Sequence, residues 1–305
     1  MRNAFAKTLT ELALKNKNII LLTGDIGNKL FDDFKKKFPN RFYNCGVAEA
    51  NMVGVAAGLA KVGFIPFVYT ITPFLTSRCF EQIRLDVCYP NAKVFIVGTG
   101  SGLSYSRLGP THHSLEDISL MSSIPNLKVC CPGDSVELNY LIKSLLKKKG
   151  PTYLRLGKKG EPIINKKKSI IFGKQNIIVK GKNIIILSVG NMLGVANDVL
   201  LRLKKKNISA QLVSFHSIKP INMKELRKLL QPFYKILILE EHNFRGGLSS
   251  FIKSNFDILN IKKKKIYSFC VKDDIFFSGL GEQKDARKKL GLDSANICKK
   301  IIEKS

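Results

Sequence analysis

Short apolar runs alternate with helical stretches from one end of this chain to the other. "NIILLTGDI" (18–26) is a continuous apolar run, as a strand buried on both faces should be, and the helical "KLFDDFKKKFP" (29–39) follows it. "RFYNCGV" leads into an Ala- and Gly-rich helix, "GFIPFVYTI" is a strand, "TSRCFEQIRLDVCY" a helix, and "KVFIVGT" and "NLKVCCPG" are further strands. "DSVELNYLIKSLLKKKG" predicts a helix with Asp134 or Ser135 as N-cap and Gly150 just past its end, and "PTYLRL" closes the series. Strands separated by helices call for a parallel sheet covered on both faces, so the fold class is α/β. A second such series starts at "NIIILSVG" (183–190), after a Lys-rich, Gly-punctuated stretch. Two domains are therefore expected, each a mostly parallel sheet covered by helices: residues 1–156 and residues 181–305, joined by a linker at 157–180.

Bulk properties narrow the function classes. No run of about 18 apolar residues occurs, so no membrane span is expected. "MRNAFAKTLTELALKNKN" lacks an apolar core and a small-residue cleavage site, and reads as an amphipathic first helix instead of a signal peptide. The seven cysteines form no CxxC pair and sit mostly in apolar runs, which fits reduced thiols in a cytoplasm. A formal net charge of +28 invites a nucleic-acid reading. Against it, 41 of the basic residues are Lys and 10 are Arg, and the lysines come in short runs (35–37, 147–149, 166–168, 204–206, 262–265) over the whole chain. Base-reading surfaces favour Arg forks and interleaved aromatics, and neither clusters here. Solvated lysines, with no nucleic-acid partner, are the expectation.

The stretch "NCGVAEANMVGVAAGLAKVG" (44–63) raises a chemical question. Its residues are nearly all small or aliphatic, as in a helix that another backbone approaches closely. Yet Glu49 stands among them, and burying an ionised carboxylate costs several kcal/mol unless it is paired or protonated. The bland reading is a helix N-terminal carboxylate favoured by the dipole, with its head in solvent. The alternative is a working group.

"GVAEANMVGVAAGLA", with "LTGDIG" upstream and "GPTHHSLEDISLM" downstream, resembles the transketolase family, and "IIILSVGNMLGVANDVLLRLKKKNISAQLVSFHSIKP" and "LILEEHNFRGGLSSFI" are similar to that family's C-terminal domain. The resemblance covers nearly the whole chain and looks like the C-terminal, half-length subunit of a split enzyme. It implies a pyrimidine-binding domain followed by a transketolase C-terminal domain, with thiamine diphosphate as cofactor. Glu49 is then catalytic: a carboxylate at this helix start hydrogen-bonds N1′ of the aminopyrimidine and so promotes deprotonation of the thiazolium C2. A carboxyl in apolar surroundings has a raised pKa, which suits proton exchange. Phe74 is implied as the aromatic platform for the aminopyrimidine, the alternative being a core Phe, and Asp25 of "TGDIG" as a further cofactor contact. His112 resembles the family's substrate-facing, catalytic histidine, used in handling the donor's hydroxyls and in proton transfer, and His113 is counted as a further substrate contact, although beside His112 on an extended loop it would point elsewhere. Arg78 resembles a substrate-phosphate contact in deoxyxylulose-phosphate synthases, with an ion pair to Glu81 as its alternative. Arg155 matches an arginine that grips a substrate phosphate through a bidentate fork, against linker ion pairing. His242 falls near the domain contact.

The chain departs from the pattern where Leu108 replaces an acidic reader of an acceptor hydroxyl and Gly100 replaces a histidine. Ordinary pentose-phosphate substrates are thereby in doubt, and a more apolar or deoxygenated sugar enters. The family's GDG motif, followed about 25 to 30 residues later by paired Asn as oxygen ligands for Mg²⁺, is not matched: Ile26 stands where Gly is required, and Asn51 is single. The Mg²⁺ and diphosphate ligands are therefore expected from an N-terminal partner subunit, with this chain self-dimerising in an α2β2 assembly that transfers a two-carbon ketol unit between sugars or sugar phosphates. Three alternatives stand beside this: the β subunit of a 2-oxoacid dehydrogenase, a deoxyxylulose-phosphate synthase-like enzyme, and a catalytically diverged scaffold or regulatory half-subunit.

Overall fold

The computed structural model describes residues 1–27, 29–166, 169–272 and 276–303, so two lysines of the 166–168 run lie outside the described residues. Among the described residues, twelve strands build two sheets: β1 (Ile19–Thr23), β2 (Phe42–Asn44), β3 (Ile65–Ile71), β4 (Phe95–Thr99), β5 (Lys128–Cys130), β6 (Thr152–Leu156), β7 (Asn176–Val179), β8 (Ile184–Ser188), β9 (Ala210–Ser214), β10 (Ser217–Lys219), β11 (Lys235–Asn243) and β12 (Lys265–Val271). The first sheet runs β10-β5-β6-β4-β3-β1-β2 and the second β12-β11-β8-β9-β7. Every pairing is parallel except β10 on β5 and β7 on β9. Strands β1, β4, β6, β8 and β9 are buried at every residue, as their continuous apolar runs demand of strands covered on both faces.

Two elements cross the expected boundaries. The 157–180 stretch is not purely a linker, because its last residues form β7, an antiparallel edge strand of the second sheet. Strand β10 leaves the second half of the chain and pairs with β5 of the first sheet. Both are edge additions, where an antiparallel strand joins a parallel sheet without a crossover helix.

The Ala/Gly helix spans Glu49–Lys61 and buries Met52, Val53, Ala56 and Ala57. Gly46, at φ +66°, turns the chain into it. Its other side stays open: Val55 and Gly58 are exposed, and a Cβ at Gly54 or Gly58 would meet nothing within 4 Å. No helix of the described residues is long and apolar enough to cross a membrane. All seven thiols are free, and only Cys45 is not buried.

Candidate active site

The crevice at the carboxyl ends of β1, β3 and β4 collects the chemistry, which is where doubly covered parallel sheets bind ligands. Glu49, the first residue of its helix, is 3% exposed there. Its Oε2 lies 2.5 Å from Nη1 of Arg78, and its Oε1 makes a long contact of 3.4 Å with the Thr70 hydroxyl. Gly24, just past β1, keeps this space open: a Cβ there would sit 2.8 Å from the Thr70 Oγ and 3.5 Å from Glu49 Oε1. The carboxylate therefore meets a guanidinium, where the surrounding sequence suggests an apolar wall. Arg78 does not pair with Glu81, which is engaged by Arg84 instead. Its side chain is 46% exposed, so it reaches Glu49 from the open side of the crevice.

Phe74, on the short helix Thr72–Thr76 after β3, is half-buried. The Arg78 guanidinium lies 4.7 Å from its ring centroid, and the His112 ring meets it edge-on with centroids 5.1 Å apart. His112 Nδ1 is 2.9 Å from the Thr111 hydroxyl, and the Tyr105 ring flanks the imidazole at 6.0 Å. The structure thus brings Glu49, Phe74, Arg78 and His112 together. Asp25 stands exposed at the end of β1, where its Oδ1 accepts a hydrogen bond from Asn44.

Burial, and then the neighbouring His113, push the His112 pKa below its ordinary value of 6.5. The ring should accordingly be neutral at pH 7. An NMR titration of the imidazole is expected to give a midpoint below 6.5, and His113→Asn should move it upward. A midpoint at or above 6.5 would contradict this placement.

Two expected substrate contacts are buried and already partnered. His113 is 7% exposed, and its Nε2 donates to the Ser106 carbonyl. Arg155 is 1% exposed in β6, and its fork closes on Asp117 (2.7 and 3.2 Å) while Nη2 also donates to the Ser114 and Glu241 carbonyls. With Nε and Nη2 engaged and the whole side chain buried, it has no open approach for a substrate phosphate, and its partners are not in the linker. Burial alone would raise the Asp117 pKa, but the Arg155 guanidinium overcomes it and holds the carboxyl below the usual range. Tyr153 donates to the same carboxylate at 2.6 Å. Tyr153→Phe is expected to cost about 2 kcal/mol, as a hydrogen bond to a charged group does. A urea midpoint equal to wild type would refute that.

This buried group belongs to the contact between the two sheets' domains, and that contact positions the His112 loop. Glu241 accepts from Leu103 N (3.0 Å) and from Asn191 and Gln283, and pairs with Arg287. Gly102, at φ +64°, must lack a side chain because a Cβ would fall 2.3 Å from Glu241 Oε2. Asn243 N donates to the Leu115 carbonyl, and Gly102 and Ser114 bridge the loop's two ends. His242, fully buried, accepts from Ser119 N at 3.4 Å, so it lies at the domain contact.

Two cleft residues escaped sequence reasoning. Lys158, half-buried, places its ammonium 4.5 Å from the Tyr105 ring centroid, while its carbonyl accepts from Arg2 Nε. In the sequence it is lost among many lysines. Tyr105 was signalled only by the glycine at position 100: a Cβ there, at φ +74°, would lie 1.9 Å from the Tyr105 ring.

Two family descriptions match this arrangement: "Transketolase, pyrimidine binding domain" over residues 1–161 and "Transketolase, C-terminal domain" over residues 173–297. The chain belongs to the transketolase family. It is 32% identical over 305 residues to an apulose-4-phosphate transketolase subunit of Phocaeicola vulgatus, covering 99% of this chain and 96% of that protein. It is 32% identical over 252 residues to a 6-deoxy-6-sulfo-D-fructose transketolase subunit of a Clostridium species, covering 82% and 78%. A solved structure described as a split gene transketolase, inactive beta4 tetramer, superimposes with a TM-score of 0.85 at 32% identity, covering 99% of this chain and 96% of that one. Transketolases are thiamine diphosphate-dependent transferases, and the aminopyrimidine half of that cofactor fits the residues present. The glycine-lined gap at Gly24, the Glu49 carboxylate and the half-exposed Phe74 ring are the parts such a ring needs. Among the described residues no group of three or more His, Cys, Asp or Glu is placed to hold a metal ion.

Proposed function

We propose that this chain is the C-terminal subunit of a two-chain transketolase, which transfers a two-carbon ketol unit between sugars or sugar phosphates. The observation that carries the reading is Glu49: a buried carboxylate whose one strong partner, Arg78, reaches it from the open side of the crevice. When bound, thiamine diphosphate supplies a nucleophilic carbon and an electron sink. Glu49 would hold the ring nitrogen of the aminopyrimidine through the oxygen that Arg78 engages, and would take and return the proton there. Phe74 offers its ring face to the heterocycle, and Asp25 lies on the rim. His112, held neutral, would handle protons at the donor's hydroxyls. Arg78, freed from Glu49, and Lys158 are the cations able to face an anionic sugar terminus.

The diphosphate and its Mg²⁺ would be held by an N-terminal subunit carrying the diphosphate-binding domain, because Mg²⁺ needs oxygen ligands converging beside the phosphates. The open side of the Glu49–Lys61 helix supports self-association within an α2β2 assembly. Val47 (77% exposed), Val55 (44%) and Val62 (72%) flank its uncovered glycines. Seven free thiols support a reducing compartment, the cytoplasm. Co-expression with the N-terminal subunit, followed by a ketose screen with thiamine diphosphate and Mg²⁺, tests the proposal. A complex that binds the cofactor yet transfers no ketol unit from any donor would overturn it.

A further inference from the structure

We propose that the edge of the first sheet opposite the catalytic crevice carries a second site, which binds a small phosphate-bearing anion between lysines of the two halves of the chain. The site is an open pocket of about 670 Å³. Lys128, Lys148 and Lys149 line it from the first domain, and Lys219 from β10, the strand that the second half lends to the first sheet. Lys128 opens β5 and pairs with Thr152, the first residue of β6, which pairs in turn with Phe95, the first residue of β4. The pocket is therefore at the amino ends of these parallel strands, whereas Glu49 works at the carboxyl ends.

The cations gathered here lack a counter-charge. Lys128 and Lys219 are half-buried, and a lysine seldom leaves water unless it is paired. Among the described residues no carboxylate lines the pocket, and none of its four lysines forms an ion pair. Burial pulls the pKa of Lys128 and of Lys219 below the ordinary 10.5, and Lys93 and Lys148 push that of Lys128 down further. The Cys88 thiol acts the other way on both, but its own pKa is raised to about 12, so it is uncharged at neutral pH. Carbonyls take some of the donors. Lys128 Nζ donates to Pro151, and Lys219 Nζ to Ser122 and Ile124. An ammonium has three donors, so two remain on Lys128 and one on Lys219, with exposed Lys148 and Lys149 beside them. A phosphate group would accept from these donors and supply the missing negative charge. Held from β5 and β10 together, it would also tie the two halves of the chain. Phe172 and Ile221 add apolar wall, so an organic phosphate has more to gain there than the bare ion.

Calorimetry on the full chain, at about 0.15 M NaCl so that loose ion pairing is screened, tests this with inorganic phosphate, pyrophosphate, D-ribose 5-phosphate and ATP as probes. At least one should bind saturably, and the tightest of the four tells a nucleotide from a sugar phosphate or a bare phosphate. The double variant Lys148→Gln/Lys149→Gln, on the surface and harmless to folding, should weaken that probe by roughly 10-fold or more, as loss of charged hydrogen bonds does. Lys128→Met should do the same. Lys205→Gln/Lys206→Gln removes as much charge from exposed positions that do not line the pocket, and should leave the affinity unchanged. No saturable binding of any probe would overturn the proposal. So would affinity that survives the Lys148/Lys149 double variant, or that falls equally in the Lys205/Lys206 control. The measurement involves no turnover, so its result is independent of the ketol-transfer reading.

Discussion

Glu49→Gln is expected to abolish turnover while leaving the fold intact. The substitution is nearly isosteric, and the amide can still hydrogen-bond the aminopyrimidine nitrogen, but it cannot take up and return a proton there. The loss should amount to at least about 10²-fold, the usual scale for a general acid–base group. Stability should change little, because the ion pair removed is with Arg78, whose side chain is 46% exposed and remains solvated without its partner. Hydrogen–deuterium exchange at C2 of the bound cofactor isolates the step. Wild-type exchange rates in the variant would remove Glu49 from the catalytic role.

Calorimetry on the isolated chain should show thiamine diphosphate binding that is millimolar or weaker, tightening by orders of magnitude once the N-terminal subunit is added. Stacking on Phe74 and one hydrogen bond to Glu49 offer only about 2 to 4 kcal/mol. Lost translational and rotational freedom largely cancels that. The structure adds a further cost, since the ring nitrogen must displace Arg78 from a contact of 2.5 Å. Charge-assisted contacts to the diphosphate, the strong part of the affinity, would come from the partner. The Arg78 contribution is separable: Arg78→Ala should tighten binding to the lone chain by several-fold, by removing the competitor for Glu49 Oε2. Micromolar, Mg²⁺-dependent binding without the partner would mean a diphosphate site in this chain, and the two-subunit reading would fall.

Local pattern carried much of this molecule. Continuous apolar runs announced β1, β4 and β8 because a strand covered on both faces has no polar side to show. The helix from Glu49 was legible in its small residues, and the loop with His112 in its motif. Edge elements were not legible in the same way. Strand β7 carries only four residues in a Lys-rich context, and β10 only three. A short edge strand is held by its neighbour's unpaired backbone more than by a pattern of its own.

What the sequence by itself determined is the α/β alternation and the family to which the chain belongs, and it singled out Glu49 and His112, which the fold brings into one crevice. Partner choice among charged side chains was decided only in the tertiary structure. Helical spacing offered Glu81, three residues away, as the alternative partner of Arg78, yet Arg78 meets Glu49 across the crevice. Arg155 reads as a phosphate fork in "YLRLGK", yet β6 is buried on both faces, so its guanidinium must be satisfied inside, by Asp117 and the Glu241 carbonyl. Tyr105 became meaningful only when its ring was found filling the space beside Gly100. A buried charge has to be matched by whatever the fold brings within about 3 Å. Residues distant in sequence do that matching, so no local spacing rule can foresee it.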